Sequence, residues 1–204
     1  MKMLYYTGWF LTRLISKLFF RIKIYGQNHI PKNGGFIVAT NHASYFDPPL
    51  VGSWMTRQVY FFAKKELFKN KIFGWIITRT NALPVRRGVI ERNALEATLA
   101  IIKKGYGLTI FPEGTRSKTD QFLEPKPGVG MIAIRAQCPI IPGYVRGTNK
   151  LKDCFWGREK LSITFGEPFS SEWVTSFPDN KDSYHKIANA VMERIAQIKQ
   201  KLEN

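Results

Sequence analysis

The hydrophobic positions of this chain fall into short runs separated by polar turns. Phe36–Thr40 (FIVAT), Val59–Ala63 (VYFFA), Leu108–Phe111, Ile140–Tyr144 and Leu161–Phe165 are each four or five residues long and largely apolar. Runs of that length, rich in β-branched and aromatic residues, predict buried strands. Arg21–Tyr25 alternates basic and apolar side chains, the pattern of a half-buried edge strand. Leu83-Pro84-Val85 predicts a shorter extended stretch. Helical spacing lies between these runs. Over Val89–Lys104 the residues Ile90, Ala94, Ala97 and Ile101 form one stripe, widened by Leu95, Leu99 and Ile102, and Gly105 stops it. Gly128–Ala136 reads as a second helix, and Tyr184–Gln200 as a third with Ile187, Val191, Ile195 and Ile198 recurring. Pro48-Pro49-Leu50 can open a short helix that continues over Leu50–Met55, since proline is tolerated in a first helical turn. Lys64–Leu67 begins a helix or turn, and Phe73–Ile77 is a further apolar patch. Strands alternating with helices give an α/β class: a mixed, largely parallel sheet covered by helices.

The first 20 residues differ from the rest. Tyr5, Tyr6, Trp9, Phe10, Leu11, Leu14, Ile15, Leu18, Phe19 and Phe20 crowd a stretch broken by Lys2, Arg13 and Lys17. A spanning helix wants about 20 largely uncharged residues, and a secretory signal wants a clean apolar core with a small-residue cleavage site. Neither fits well. Three readings stay open: an amphipathic helix in a membrane interface, with aromatics inward and basic groups at the headgroups, a helix packed on the protein's own core, and a weak span. The first is the expectation, so residues 1–20 are assigned as a membrane-interface segment and 21–204 as one catalytic-size domain.

Charge changes the picture in the same direction. The net charge is +16 over 204 residues. The first hundred carry 15 basic and 4 acidic groups, and no acid precedes Asp47. Such a field attracts polyanions, either nucleic acid or an anionic membrane. No nucleic-acid motif is present, and the basic residues accompany an apolar terminus, so a membrane surface is expected and nucleic acid is not. Cys138 and Cys154 make no disulfide framework and have no metal-ligand spacing.

Two charged turns follow predicted strands, where α/β folds gather their sites. The first is Asn41-His42-Ala43-Ser44-Tyr45-Phe46-Asp47. Imidazole can take a proton from a hydroxyl and return it, and a carboxylate on its other nitrogen would fix its tautomer. A gap of five is awkward within one helix but feasible if His42 lies in the turn and Asp47 in the first helical turn. Asn41 and Ser44 can hold that turn. A structural histidine beside an N-cap aspartate is the plainer alternative. The second turn is Phe111-Pro112-Glu113-Gly114-Thr115-Arg116-Ser117. Gly114 lets backbone N–H groups approach a ligand, Arg116 can grip phosphate bidentately, Thr115 can donate, and Glu113 can accept from a substrate hydroxyl or hold an arginine. Arg87 offers a second phosphate fork, and an ordinary salt-bridged turn would also explain Glu113 with Arg116. With no serine or cysteine in a nucleophile elbow, a covalent enzyme intermediate is not suggested. His29 and His185 have no ligand cluster near them, so no metal is expected.

These blocks resemble the glycerolipid acyltransferases that convert lysophosphatidic acid to phosphatidic acid, the 1-acyl-glycerol-3-phosphate acyltransferases. The signature of asparagine, histidine, four residues and aspartate matches Asn41, His42 and Asp47, with the frequent serine at Ser44. Pro84-Val85-Arg86-Arg87 is similar to the second block, although Arg86 stands where an acid is often found. Phe111–Ser117 matches the third block in full. Cys138-Pro139-Ile140-Ile141-Pro142 resembles the fourth, with Gly143 where many members have a small apolar residue, and Lys64 lies in a similar lysine-containing patch. The resemblance implies acyl transfer from a thioester, acyl-CoA or acyl-acyl-carrier-protein, with no further cofactor. His42 would deprotonate the glycerol hydroxyl and Asp47 would orient it. Arg87, Glu113, Gly114, Thr115 and Arg116 would shape the acceptor phosphate site, with Asn41, Ser44, Lys64 and Pro142 in support. It further implies a lysophospholipid acceptor, an anionic membrane partner, and a place on the cytoplasmic face of a membrane as a peripheral or monotopic protein. Superfamily members with other acceptors, such as glycerol-3-phosphate or another lysolipid, and a non-enzymatic basic binding module are the rival readings.

Overall fold

The computed structural model describes residues 2–86, 91–119 and 121–203. Seven strands form one sheet: β1 (Lys23–Tyr25), β2 (Phe36–Thr40), β3 (Val59–Lys64), β4 (Ala82–Val85), β5 (Gly107–Ile110), β6 (Ile140–Arg146) and β7 (Ser162–Phe165). Their order is β1-β7-β6-β2-β5-β3-β4, parallel throughout except for the β6–β7 pair. The alternating Arg21–Tyr25 segment does lie at the sheet edge. Every residue of β2 is buried, because helices cover both faces of the sheet.

Strand pleat sorts the core into two halves. Ile37 and Ala39 of β2 face the helices α4 (Arg92–Lys103), α5 (Gly128–Ala136) and α8 (Lys181–Glu203), packing with Ile132, Ile187, Val191 and Ile195. Phe36 and Val38 face the other side, against Leu50, Val51 and Met55 at and just beyond α2 (Asp47–Trp54). α5 and α8 approach so closely that a Cβ on Gly130 would sit 2.4 Å from the Tyr184 carbonyl oxygen. The shorter helices are α3 (Lys71–Arg79), α6 (Leu151–Phe155) and α7 (Ser171–Thr175). Asn70 caps α3 through Phe73 N–H, and Ser170 caps α7 through Trp173 N–H. Neither α6 nor α7 was legible as a helix, since five residues carry too little periodicity.

Two sequence expectations need correction. In α4 the buried stripe is Leu95, Thr98 and Ile102, while Ala97 is exposed. Thr98 enters the core because its hydroxyl donates to the Ala94 carbonyl at 2.7 Å, so no polar atom is left unpaired. Ile90, assigned to that stripe, and Arg87 lie outside the described residues.

The second correction concerns α1 (Lys2–Phe20). It is a helix with its polar centre turned inward. Tyr5 and Ser16 are buried, while Met3, Phe10, Leu14 and Leu18 are exposed. Arg13, expected at a headgroup layer, instead packs inward against α2. Its Nε donates to Ser53 O at 2.5 Å and its Nη2 to Met55 O at 3.1 Å. The guanidinium lies 3.5 Å over the Trp9 ring and 4.9 Å from the Trp54 ring. Trp54 Nε1–H donates to Ser16 Oγ at 3.1 Å, and Gln27 Nε2–H holds the Trp54 carbonyl at 2.7 Å. Arg13 therefore satisfies carbonyls at the C-terminus of α2 and complements the negative end of its dipole. No described helix is long and apolar enough to cross a membrane.

Arg13→Ala should lower the unfolding free energy by about 2 kcal/mol, the scale of charge-assisted hydrogen bonds left unmade. Urea titration would show a lower midpoint at unchanged slope. An unmoved midpoint would mean that water replaces the guanidinium without loss.

Candidate active site

Neighbouring strands bring the two charged turns together. β2 and β5 pair in parallel with Ala39 opposite Ile110, so both chains leave the sheet side by side at their C-terminal ends. Three backbone ties then lock the turns. His42 N–H donates to Glu113 Oε1 at 2.8 Å, Ser117 N–H donates to His42 O at 2.8 Å, and Leu123 N–H donates to Glu113 Oε2 at 2.9 Å.

The first turn wraps around one carboxylate. Asp47 Oδ2 accepts from His42 Nδ1 at 2.7 Å, from Ala43 N–H at 2.7 Å and from Ser44 N–H at 2.7 Å. Asp47 is fully buried and opens α2, where Pro48 and Pro49 need no N–H partner. The five-residue spacing works because His42 is extended beyond β2 and the turn folds back over the helix start. With Asp47 accepting, Nδ1 carries the proton and Nε2 is left as the basic nitrogen. The imidazole stacks on Phe111, with ring centroids 4.1 Å apart and planes inclined by 20°. Phe111 thus fixes the ring plane, a role that its place in the second motif did not disclose.

The second turn divides its labour. Glu113 is 2% exposed and both oxygens are taken by backbone donors, so it ties the loops rather than meeting substrate. Burial pushes its carboxyl above the ordinary 4.5, against lowering by the Leu123 and His42 amides. Gly114 has φ of +66°, a left-handed conformation that glycine adopts without strain. Arg116 lies over the Tyr45 ring, its central carbon 3.5 Å from the centroid. A guanidinium stacked by its face keeps its N–H edge for an acceptor. Tyr45 lies within the first motif, at a position whose identity the motif leaves open.

A cavity of about 980 Å³ reaches His42 and is lined mainly by apolar side chains. Gly114, Thr115, Arg116, Lys64 and Arg86 also line it. α1 supplies part of its wall through Tyr5, Gly8, Trp9 and Thr12, and α3 supplies Phe73, Ile76 and Ile77. The N-terminal segment is therefore part of the site's enclosure, which its composition alone did not indicate. A smaller polar cavity of about 110 Å³ lies on the other side of the His42 turn, beside Asn41, Ser117 and Arg146.

The remaining expected residues are structural. Asn41 is buried and bridges β2 to β6, donating to Val145 O at 3.0 Å and accepting from Val145 N–H at 2.7 Å. Ser44 Oγ accepts from Phe46 N–H at 3.3 Å. Pro142 sits inside β6 opposite Ala39, and its carbonyl accepts from Gly166 N–H at 2.7 Å. Burial pushes the Cys138 thiol up to about 12, which keeps it an inert core group.

The family model described as Acyltransferase matches residues 21–146. A 1-acyl-sn-glycerol-3-phosphate acyltransferase of Bacillus subtilis is 29% identical over 183 residues, 89% of this chain and 90% of the relative. A lyso-ornithine lipid O-acyltransferase of Pseudomonas aeruginosa is 34% identical over 110 residues, 53% of this chain and 41% of the relative. Among solved structures, the 1-acyl-sn-glycerophosphate (LPA) acyltransferase PlsC from Thermotoga maritima superposes with a TM-score of 0.72 at 28% identity. That match covers 97% of this chain and 79% of the other.

A carboxyl raised on folding holds its proton more tightly in the folded state. The Glu113 contribution to stability is therefore fully present below about 4.5 and is lost as pH rises through the raised value. Glu113→Gln removes this titration and sets an amide nitrogen against a backbone donor. Unfolding free energy should fall by about 1–3 kcal/mol. The gap to the parent protein should be wider at acidic than at neutral pH. Urea titrations at the two pH values check this, and a pH-independent gap would mean that the folded carboxyl is not raised.

Proposed function

This chain belongs to the acyltransferase family, and from that premise we propose that it transfers a fatty acyl chain from a thioester to the free sn-2 hydroxyl of 1-acyl-glycerol-3-phosphate, giving phosphatidic acid. The carrying observation is the His42–Asp47 pair at the wall of a large, mainly apolar cavity that Arg116 also lines. Acceptor and donor meet there directly. His42 Nε2 takes the hydroxyl proton as the oxygen attacks the thioester carbonyl, and Asp47 favours the imidazolium that forms. The tetrahedral centre collapses with departure of the thiolate, which recovers that proton. The N–H edge of Arg116 is suited to the acceptor phosphate, and Thr115 and Gly114 line the cavity beside it.

The acyl donor is acyl-CoA or acyl-acyl-carrier-protein; both are anionic, as a chain of net charge +16 would favour. The apolar outer face of α1 supports attachment to an anionic bilayer at the cytoplasmic face, as a peripheral or monotopic protein. A lipid acceptor held at the surface would then enter the cavity without crossing water, which would cost about 0.8 kcal/mol per exposed CH₂. The ornithine-lipid relative keeps a second reading in view, in which the same His42 chemistry serves another lysolipid.

Purified protein offered lysophosphatidic acid, glycerol-3-phosphate and a neutral-headgroup lysolipid should consume thioester only with the first. His42→Ala should abolish turnover in protein that circular dichroism shows to be folded, and full activity in that variant would remove His42 as the base. Arg116→Ala should raise the KM for lysophosphatidic acid about tenfold or more, the scale of a lost charge-assisted contact. The KM for the donor should hold, and equal changes in both would make Arg116 a structural residue.

A further inference from the structure

We infer that the tip of α6, Phe155 with Trp156, is a second lipid-contact point of this chain, offset from α1, and that its partner is an anionic bilayer surface; this rests on the lipid-acceptor reading above. α6 sits between β6 and β7. Its inner side is anchored: Cys154 is buried and its thiol donates to the Gly147 carbonyl at 3.3 Å, while Leu151 packs on the core beneath the sheet. The outer side carries two large aromatic groups into solvent, with Phe155 44% and Trp156 72% exposed.

These rings are not scattered. Phe155 meets Trp156 edge-on at 5.3 Å, stacks against Phe19 at 6.4 Å and meets Phe20 edge-on at 6.2 Å. The aromatic row therefore runs from the end of α1 onto α6 and joins the outer face that carries Phe10, Leu14 and Leu18. A contiguous exposed apolar patch on this scale marks an interaction surface.

Charge identifies the occupant. Lys17, Arg21, Lys152 and Arg158 are exposed around the tip, and a Cβ on Gly157 would stand 3.6 Å from Arg21 Nη1. Glu159 is already paired with Arg146 at 2.8 Å, leaving Asp153 as the nearby acid in the α6 segment. Tryptophan beside lysine and arginine suits the headgroup level of an anionic bilayer.

Position supplies a reason for a second contact. A single helix seated on a bilayer holds the domain along one line of contact and restrains rocking about that line only through its own narrow apolar face. A contact displaced from that line restrains the rocking more strongly. α1 touches α3 and α6, and it forms the cavity wall through Tyr5, Gly8, Trp9 and Thr12. Seating both α1 and the α6 tip would hold the cavity at a fixed tilt to the lipid that supplies its acceptor.

The test is flotation of the full chain on vesicles of phosphatidylglycerol and phosphatidylcholine. The double variant Phe155→Ser with Trp156→Ser should bind about tenfold more weakly, as expected for losing partial burial of two rings. Its turnover of a short-chain acceptor below the micelle threshold should match the parent protein, while turnover of vesicle-embedded acceptor falls. Trp156→Phe alone should keep most of the binding. Equal flotation of the double variant and the parent overturns the α6 assignment but leaves the membrane reading intact. Failure of the parent itself to float overturns both. Loss of activity on the monomeric acceptor would make the tip structural. A change of mass in sedimentation velocity without loss of flotation would assign it to self-association; either result overturns the inference.

Discussion

A carboxylate removed from water depends on the donors it can gather, and at Asp47 they all meet Oδ2, while Oδ1 has no hydrogen-bond partner among the described residues. Asp47 is fully buried, and a single oxygen gathers the His42 imidazole and two successive backbone amides. The backbone donors hold the turn in a closed loop around the anion, so the imidazole meets a carboxylate already in place. Phe111 beneath the ring removes the remaining freedom of tilt. The same carboxylate opens α2, whose N-terminal dipole favours negative charge. Base, orienting acid and helix start are thus one structural unit.

That unit is held at both ends by groups remote in the chain. At the near end Glu113 reaches across from the loop after β5 and takes the His42 amide, so the two motif loops cannot separate without unpairing a buried carboxylate. At the far end Arg13 of α1 takes two carbonyls at the C-terminus of α2. α1 is therefore tied by its polar centre to the helix that begins with Asp47, while its apolar side faces outward. An ordinary amphipathic helix would bury the apolar side and expose the arginine. The inversion is stable because the arginine is paired and stacked between two tryptophan rings.

The division of residues into contact and support follows from these ties. Glu113 and Asn41 belong to the motifs yet spend their polar atoms on backbone groups. Arg116 presents a guanidinium edge only because Tyr45 takes its face. Tyr45 and Phe111 sit inside the motif stretches, where a linear pattern assigns no role to a ring whose partner lies in the other loop. The cavity wall is assembled from α1, α2, α3 and the strand ends, and no local pattern encodes such a surface.

The strands, the long helices, the α/β class and the two turns that carry the chemistry were legible in the linear chain. Each of these depends on local periodicity or local residue type: apolar runs such as Phe36–Thr40 bury whatever their neighbours are, and His42 with Asp47 lie within one turn. The rest came from packing distant segments together, and the assembled fold made the choices. It set Thr98 rather than Ala97 in the core, made Glu113 a tether, turned Arg13 inward and brought α1 to the cavity wall. These outcomes depend on which strands became neighbours, above all β2 beside β5, and on which carbonyls were left open at the end of α2. Strand order and open hydrogen-bond positions are properties of the assembled chain, and their energies appear only once distant segments are packed together.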